Sequence, residues 1–230
     1  MTQDTSFFDQ NECETPATRT ANTWNKLTDF VAFATLNSTH YSSSFNATGA
    51  IKNWDDFYAL PLIRKSDLPK LQQAEAPFGG ITHTKSNIAR VFQSPGPIYD
   101  PQGSSDDYWG MGQAFFAAGF RQGDLVQNCL SYHLTPGGFI LDSGARACGC
   151  TVIPAGPGQT ETQLQIIKDL QPAGYCGTPS FLKILRDKGD ISPIKKALVT
   201  GEYLPPDLRA SFEADGMSVL QAYASADAGL

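Results

Sequence analysis

No stretch of this sequence approaches the roughly 20 apolar residues of a membrane-spanning helix, and no cluster of five or more basic residues appears. The first absence argues against a membrane protein. The second, with a formal net charge of −6, argues against a nucleic-acid partner, which needs a basic patch. The N-terminus, MTQDTSFFDQNECE, is polar and acidic. It lacks the basic start and apolar run of a signal peptide, so a soluble, cytoplasmic chain is expected. Internal repeats and low-complexity segments are missing too. So is the Cys-x-x-Cys spacing of common zinc sites. The five cysteines are Cys13, Cys129, Cys148, Cys150 and Cys176. They read as reduced, mostly buried thiols, with a metal site at Cys148-Gly149-Cys150 as the sharper alternative.

What is present is enough for a sizeable core: 230 residues, 41% apolar and 17% charged. The texture changes near residue 90. Residues 1–90 form a mainly helical region. Trp24, Leu27, Val31 and Leu36 mark one helix, and Trp54, Phe57 and Tyr58 another, with STHYSSSFNATGA as a polar loop between them. Ser66 is a candidate helix cap, and PFGG at 77–80 marks a turn. Residues 91–230 alternate short apolar runs with helical patterns. IARVFQ, DLVQNCL, CTVIPAG, AGYCGT, KKALVTG and SVLQAYA read as strands. Between them, Tyr108, Met111, Phe115 and Ala118 fall on one helical stripe. Thr160 and Gln163 form a capping box ahead of Leu164 and Ile167. Thr178 caps a helix that begins at Pro179, where a missing N–H costs nothing. The fold class that follows is α/β: a mostly parallel sheet covered by helices on both faces, with a helical N-terminal region.

Ligands bind at the carboxyl edge of such a sheet, so the loops leaving the strands are where chemistry is expected. They read SPGPIYDP, SYHLTPGG, TPSFL, GEYLPP and AYASADAG. Each is rich in Ser, Thr, Gly, Pro and aromatics, which turn chemistry alone can explain. The last adds Tyr223, Ser225 and Asp227 at alternate positions, on one side of an extended backbone.

GFRQGDLVQNCLSYHLTPGG, GARACGCTVIPAGPGQTETQLQIIKDLQPAGYCGTPSFL, ALVTGEYLPPDLR and AYASADAG together resemble the large domain of the phenylacetate–coenzyme A ligase family, within the adenylate-forming acyl-CoA ligase superfamily. The resemblance runs from about FFDQNECETP to the last residue and is most specific from Gly119 to Leu182. It implies an adenylate-binding lobe over 91–230, incomplete at its C-terminus, and a two-step reaction: a carboxylic acid, an aryl acid such as phenylacetate, reacts with ATP to an acyl-adenylate, and coenzyme A then displaces AMP. ATP or AMP, Mg²⁺ and coenzyme A are the implied ligands, with no nucleic acid and no membrane, and pairing into a homodimer is the implied assembly. The implied nucleotide-binding residues are Ser94, Gly96, Gly201, Glu202, Tyr223 and Ser225. Tyr223 would stack on adenine, Gly201 would leave room beside the ring, and Ser225 would bond the phosphate. Asp227 stands where the family usually has Glu and would hold Mg²⁺ with a reach shorter by one methylene. Tyr132, His133, Pro136, Gly137, Gly138, Thr178 and Pro179 match the acyl-pocket loops, although capping alone accounts for Thr178 and Pro179.

The phosphate loop departs from the family pattern. At its place stands Gln93-Ser94-Pro95-Gly96-Pro97-Ile98-Tyr99, in which two prolines have no N–H to offer a phosphate. The catalytic lysine and small C-terminal domain of the family are expected beyond Leu230, so the 230-residue chain alone is expected to be inactive as a complete ligase. Two other readings remain: a non-catalytic, degenerate ligase lobe that binds nucleotide, acyl group or partner protein, and a plain α/β interaction domain.

Overall fold

The computed structural model describes residues 6–45, 50–83, 87–227 and 229; Leu230 lies outside the described residues. The chain divides into two compact units, Asp9–Ser104 and Ser105–Leu230, the latter together with Met1–Phe8.

In the first unit, α1 (Pro16–Asn37) begins at Thr15, whose hydroxyl accepts from the Thr18 N–H at 3.2 Å. Its inner face follows Trp24, Leu27, Val31 and Ala34, and only Ala34 is fully buried. Leu36, expected on that stripe, is 84% exposed because it falls two positions after Ala34 instead of three or four. The first half of the expected polar loop is helical: Thr39–Phe45 forms α2. The Ser38 hydroxyl bonds Gly80 O at 2.6 Å and accepts from Tyr41 N at 3.2 Å, fixing its start. Then come α3 (Trp54–Tyr58), capped by Asn53, and α4 (Leu68–Ala74). Ser66 does not cap α4: it lies in a short 3-10 turn and its hydroxyl contacts Asp67. IARVFQ is a strand, β1 (Ile88–Ser94), but it does not join the parallel sheet. It pairs antiparallel with β2 (Ile98–Gly103) as a two-stranded hairpin. Gln72 of α4 grips β2 through both amide atoms, donating to Tyr99 O at 2.8 Å and accepting from Tyr99 N at 2.9 Å.

In the second unit, five parallel strands stand in the order β4-β3-β5-β6-β7. They are β3 (Leu125–Asn128), β4 (Thr151–Pro154), β5 (Gly174–Gly177), β6 (Lys196–Val199) and β7 (Ser218–Gln221). Helices α5 (Gly112–Ala117), α6 (Gly137–Ala147), α7 (Thr160–Leu170), α8 (Pro179–Lys188) and α9 (Pro206–Ala214) flank the sheet. The continuous apolar runs of the inner strands are buried as expected: Val126, Tyr175, Cys176 and Val199 are fully enclosed. Ile167, Leu182, Leu185 and Phe212 pack with Tyr175 and Val219 into one core cluster. Each such side chain contributes about 1.5–3 kcal/mol by leaving water. Met111 and Phe115 are likewise buried, whereas Tyr108 precedes α5 and is 44% exposed. Gly144 lets α6 approach the stretch before α5, since a Cβ there would overlap Met111.

The capping box expected at α7 is not formed. Gln159 occupies the cap position in a left-handed conformation, and Gln163 turns inward. Its amide donates to Gly156 O at 2.7 Å and Gly158 O at 2.8 Å, and its oxygen accepts from Gln127 of β3 at 2.7 Å. A buried amide that ties a loop to a strand satisfies more backbone than a cap would. Among the described residues no helix is long and apolar enough to cross a membrane.

Candidate functional site

The strand ends build a hollow of about 500 Å³ within the second unit. One wall comes from Leu130, after β3, and from Gly137 and Ile140 in the first turns of α6. The loop after β6, Thr200 to Tyr203, forms another wall, and the lining is completed by Gln221 to Ala224 at and after the end of β7. This is the carboxyl edge where the topology of an open parallel sheet places ligands. Of the sequence candidates, Gly137, Gly201, Glu202 and Tyr223 line this hollow together.

Tyr223 is 87% exposed, and its ring is offered to solvent at the lip of the hollow. Gly201 has φ +79, a left-handed conformation that favours glycine, and a side chain added there would meet only Thr178 Cγ2 at 3.8 Å. Glu202 is held from two sides. Its carboxylate accepts from Ser180 N, at the start of α8, at 3.4 Å, and its backbone carbonyl accepts from Gln221 Nε2 at 2.9 Å. Negative charge is favoured at a helix start. Thr178 caps α8, its hydroxyl accepting from Phe181 N at 3.3 Å, and Pro179 is the first helical residue. Both behave as the sequence pattern requires.

The other wall is stiffened from beneath. Asn128, fully buried at the end of β3, donates to Tyr132 Oη at 2.7 Å and Gly138 O at 2.8 Å and accepts from Leu130 N at 3.1 Å. Tyr132 Oη donates in turn to Asp142 Oδ2 at 3.0 Å. Burial, helped by the Asp142 carboxylate, pushes the phenol of Tyr132 well above its ordinary range, so it stays a neutral donor. Gly138 packs under the Tyr132 ring and Pro136 precedes α6. His133 is exposed, its backbone N–H donating to Ser131 Oγ at 3.2 Å. Tyr132 therefore spends its hydroxyl inside the fold, and His133 lies on the outside of the loop.

After Tyr223 the chain closes a tight turn, in which Ser225 and Gly229 exchange backbone hydrogen bonds of 3.0 Å and the exposed Asp227 sits at the tip. Among the described residues no group of three or more His, Cys, Asp or Glu is gathered to hold a metal ion. Ser94 and Gly96 belong to the first unit. There they border the β1–β2 turn and not a strand-to-helix loop. The Ser94 hydroxyl is buried without a partner, and Gly96 has φ +127 between Pro95 and Pro97.

Sequence reasoning missed the residues that shape the site from behind. Gln221 bridges the β6 loop, accepting from Leu204 N at 3.1 Å as well as donating to Glu202 O. Asn128 does the same for the β3 loop. Both are the final residue of their strand. A polar amide closing an apolar strand was the available signal.

No family model matches the sequence. The chain is 32% identical over 202 residues to phenylacetate-coenzyme A ligase of Aromatoleum evansii, a match covering 80% of this chain and 45% of that protein. The enzyme of the same name from Thermus thermophilus is 31% identical over 154 residues, covering 63% of this chain and 34% of its own length. Among solved structures, an open conformation of 2-hydroxyisobutyryl-CoA ligase, in complex with 2-HIB-AMP and CoA, superposes with a TM-score of 0.83 at 23% identity, over 95% of this chain and 56% of that one. That likeness is one of fold. The chain spans about half the length or less of the curated relatives it matches.

Proposed function

Over the stretch it spans, the chain belongs to the phenylacetate–coenzyme A ligase family, and we propose that it is the N-terminal portion of an ATP-dependent acyl-CoA ligase acting on an aryl carboxylic acid. The substrate carboxylate attacks the α-phosphorus of ATP, pyrophosphate leaves, and the thiol of coenzyme A then displaces AMP from the acyl-adenylate. The observation that carries this reading is the hollow between the β3 and β6 loops, with an open aromatic ring at its lip and a side-chain-free position opposite.

In this reading Tyr223 stacks on adenine, and Gly201 and Glu202 flank the ring without crowding it. Ser225 bonds the adenylate phosphate. Asp227 offers one carboxylate oxygen to Mg²⁺, an ion usually held by one or two carboxylates together with substrate phosphates; the exposed turn of Asp227 suits that arrangement. Tyr132, His133, Pro136, Gly137 and Gly138, with Thr178 and Pro179, border the acyl group. The Asn128 network holds their loop in place before substrate arrives, which lowers the ordering cost of binding.

Calorimetry on this chain with AMP and with ATP plus Mg²⁺ tests the nucleotide half of the reading. The longer protein carrying this sequence tests the catalytic half, through exchange of labelled pyrophosphate into ATP that depends on an added aryl acid. AMP binding accompanied by acid-dependent exchange is the expected pair of results. A full-length protein that binds AMP but exchanges nothing across a broad panel of acids would instead be a nucleotide-binding lobe without ligase chemistry.

A further inference from the structure

Away from the strand-end hollow, the C-terminal turn of α6 sets two thiols side by side. Cys148 N bonds Gly144 O at 3.1 Å, Gly149 N bonds Arg146 O at 2.8 Å and Cys150 N bonds Ala145 O at 3.0 Å, so the Cys148-Gly149-Cys150 segment is fixed by its own backbone. Gly149 carries the reversal at φ +82, and a side chain there would press on Gln122. The two thiols lie over consecutive carbonyls: Cys148 Sγ is 3.2 Å from Phe120 O and Cys150 Sγ is 3.5 Å from Arg121 O. A second hollow, of about 350 Å³, opens on the Cys150 side of the pair, lined by Cys150 and Gly149 with Ser143, Arg146 and Asp106.

We propose that Cys148 and Cys150 form a two-sulfur binding site, entered from this second hollow, for a thiophilic centre that takes two thiolate ligands, such as trivalent arsenic or a soft metal ion. Softness follows from the donors, since sulfur ligands select polarizable acceptors. The backbone preorganises both sulfurs, so the second bond forms at high effective concentration. With phenylarsine oxide as probe, two As–S bonds form and the bonds from arsenic to oxygen break. The two thiol protons leave on that oxygen as water. No electron changes hands, and arsenic stays trivalent.

The experiment is intact-mass analysis of the full chain carrying Cys13→Ser, which removes the exposed thiol, after treatment with phenylarsine oxide. One phenylarsenic group per chain is expected. It should resist a monothiol and leave with a dithiol, because two linked sulfurs hold roughly 10²–10⁴ times more tightly than one. Cys148→Ser and Cys150→Ser should each abolish that resistance. Peptide mapping on the unsubstituted chain provides a readout independent of the variants' folding: bound arsenical should protect both Cys148 and Cys150 from alkylation, and neither Cys129 nor Cys176. Retention of the group after either substitution, ready release by monothiol, or protection at Cys129 and Cys176 in place of the α6 pair would each overturn the proposal.

Discussion

Replacing Asn128 by alanine removes a side chain that never touches solvent and yet organises a wall of the main hollow. Three hydrogen bonds go with it, at 2.7, 2.8 and 3.1 Å. They are not equal losses. Gly138 sits in the first turn of α6, so its carbonyl keeps an intrahelical donor. Tyr132 Oη keeps Asp142 as acceptor. The Leu130 N–H loses the partner that Asn128 Oδ1 gave it, and an orphaned donor costs about 1–3 kcal/mol. Adding about 1 kcal/mol for the two weakened contacts, Asn128→Ala should destabilise the second unit by roughly 3 kcal/mol and lower its melting temperature by roughly 10 °C. Asn128→Asp keeps the acceptor for Leu130 but loses both donors and brings a second carboxylate toward Asp142, so it should cost at least as much. Urea titration followed by circular dichroism reads the stability. Amide exchange reads the mechanism, because protection at Leu130 should collapse in the alanine variant and survive in the aspartate one. A stability change below about 1 kcal/mol, with Leu130 still protected, would refute the view that Asn128 holds this wall.

Three further outcomes follow. Tyr223→Ala should leave urea stability unchanged, since the ring is 87% exposed, while calorimetric affinity for AMP falls about tenfold or more from lost base stacking; unchanged affinity would remove Tyr223 from the site. Gly138→Ala should cost roughly 1–3 kcal/mol because its Cβ would lie 2.7 Å from Ser131 O and 2.8 Å from the Tyr132 ring. Gly201→Ala has space and pays only for its left-handed backbone, about 1 kcal/mol, so thermal melts should rank the two in that order. Alkaline pH should destabilise the chain. Burial pushes the Cys129 thiol up to about 12 from an ordinary 9, and Cys176, Tyr175 and Tyr132 upward as well. The folded state then keeps protons that the unfolded chain releases, so the stability is whole below about pH 9 and is lost as pH rises toward 12. A urea midpoint that holds steady above pH 9 would contradict this burial.

The strands were legible because their signal is one-dimensional. Short apolar runs without alternation suit strands covered on both faces, and the inner strands β3, β5 and β6 are buried in this way, whereas the edge strands β4 and β7 stay largely open. Thr178-Pro179 was legible for the same reason: the cap and the helical start are chemistry within four residues. IARVFQ shows where that logic stops. A strand pattern says nothing about its partner, and the short turn over 95–97 returns it as an antiparallel hairpin with Ile98–Gly103. STHYSSSFNATGA misled because Ser and Thr compete with helix locally, whereas Ser38 bonded to Gly80, far along the chain, starts α2 there. Gln163 misled in the opposite sense: its spacing from Thr160 fits a capping box, but the buried Gln127 offered a partner that only the fold could supply. Tertiary partners of this kind are invisible in a linear pattern.

The same distinction separates the residues of the site by kind. Tyr132, Thr178 and Gln221 turn their polar atoms back into the fold, to Asp142, to the first turn of α8 and to the β6 loop, and Glu202 is bonded at the α8 start. A group whose hydrogen bonds are spent on the scaffold shapes a pocket more than it reads a ligand. Tyr223 and Gly201 are the complement, one offering an unpacked ring and the other an unfilled space. Substitutions in the first set should therefore move stability and AMP affinity together, because the loop that loosens is also the wall of the hollow. Substitution of Tyr223 should move affinity alone. Parallel melting and calorimetry on Tyr132→Phe, Gln221→Ala and Tyr223→Ala separate the two behaviours, and a Tyr132→Phe variant that loses affinity with an unchanged melt would place its hydroxyl on the ligand instead of on Asp142.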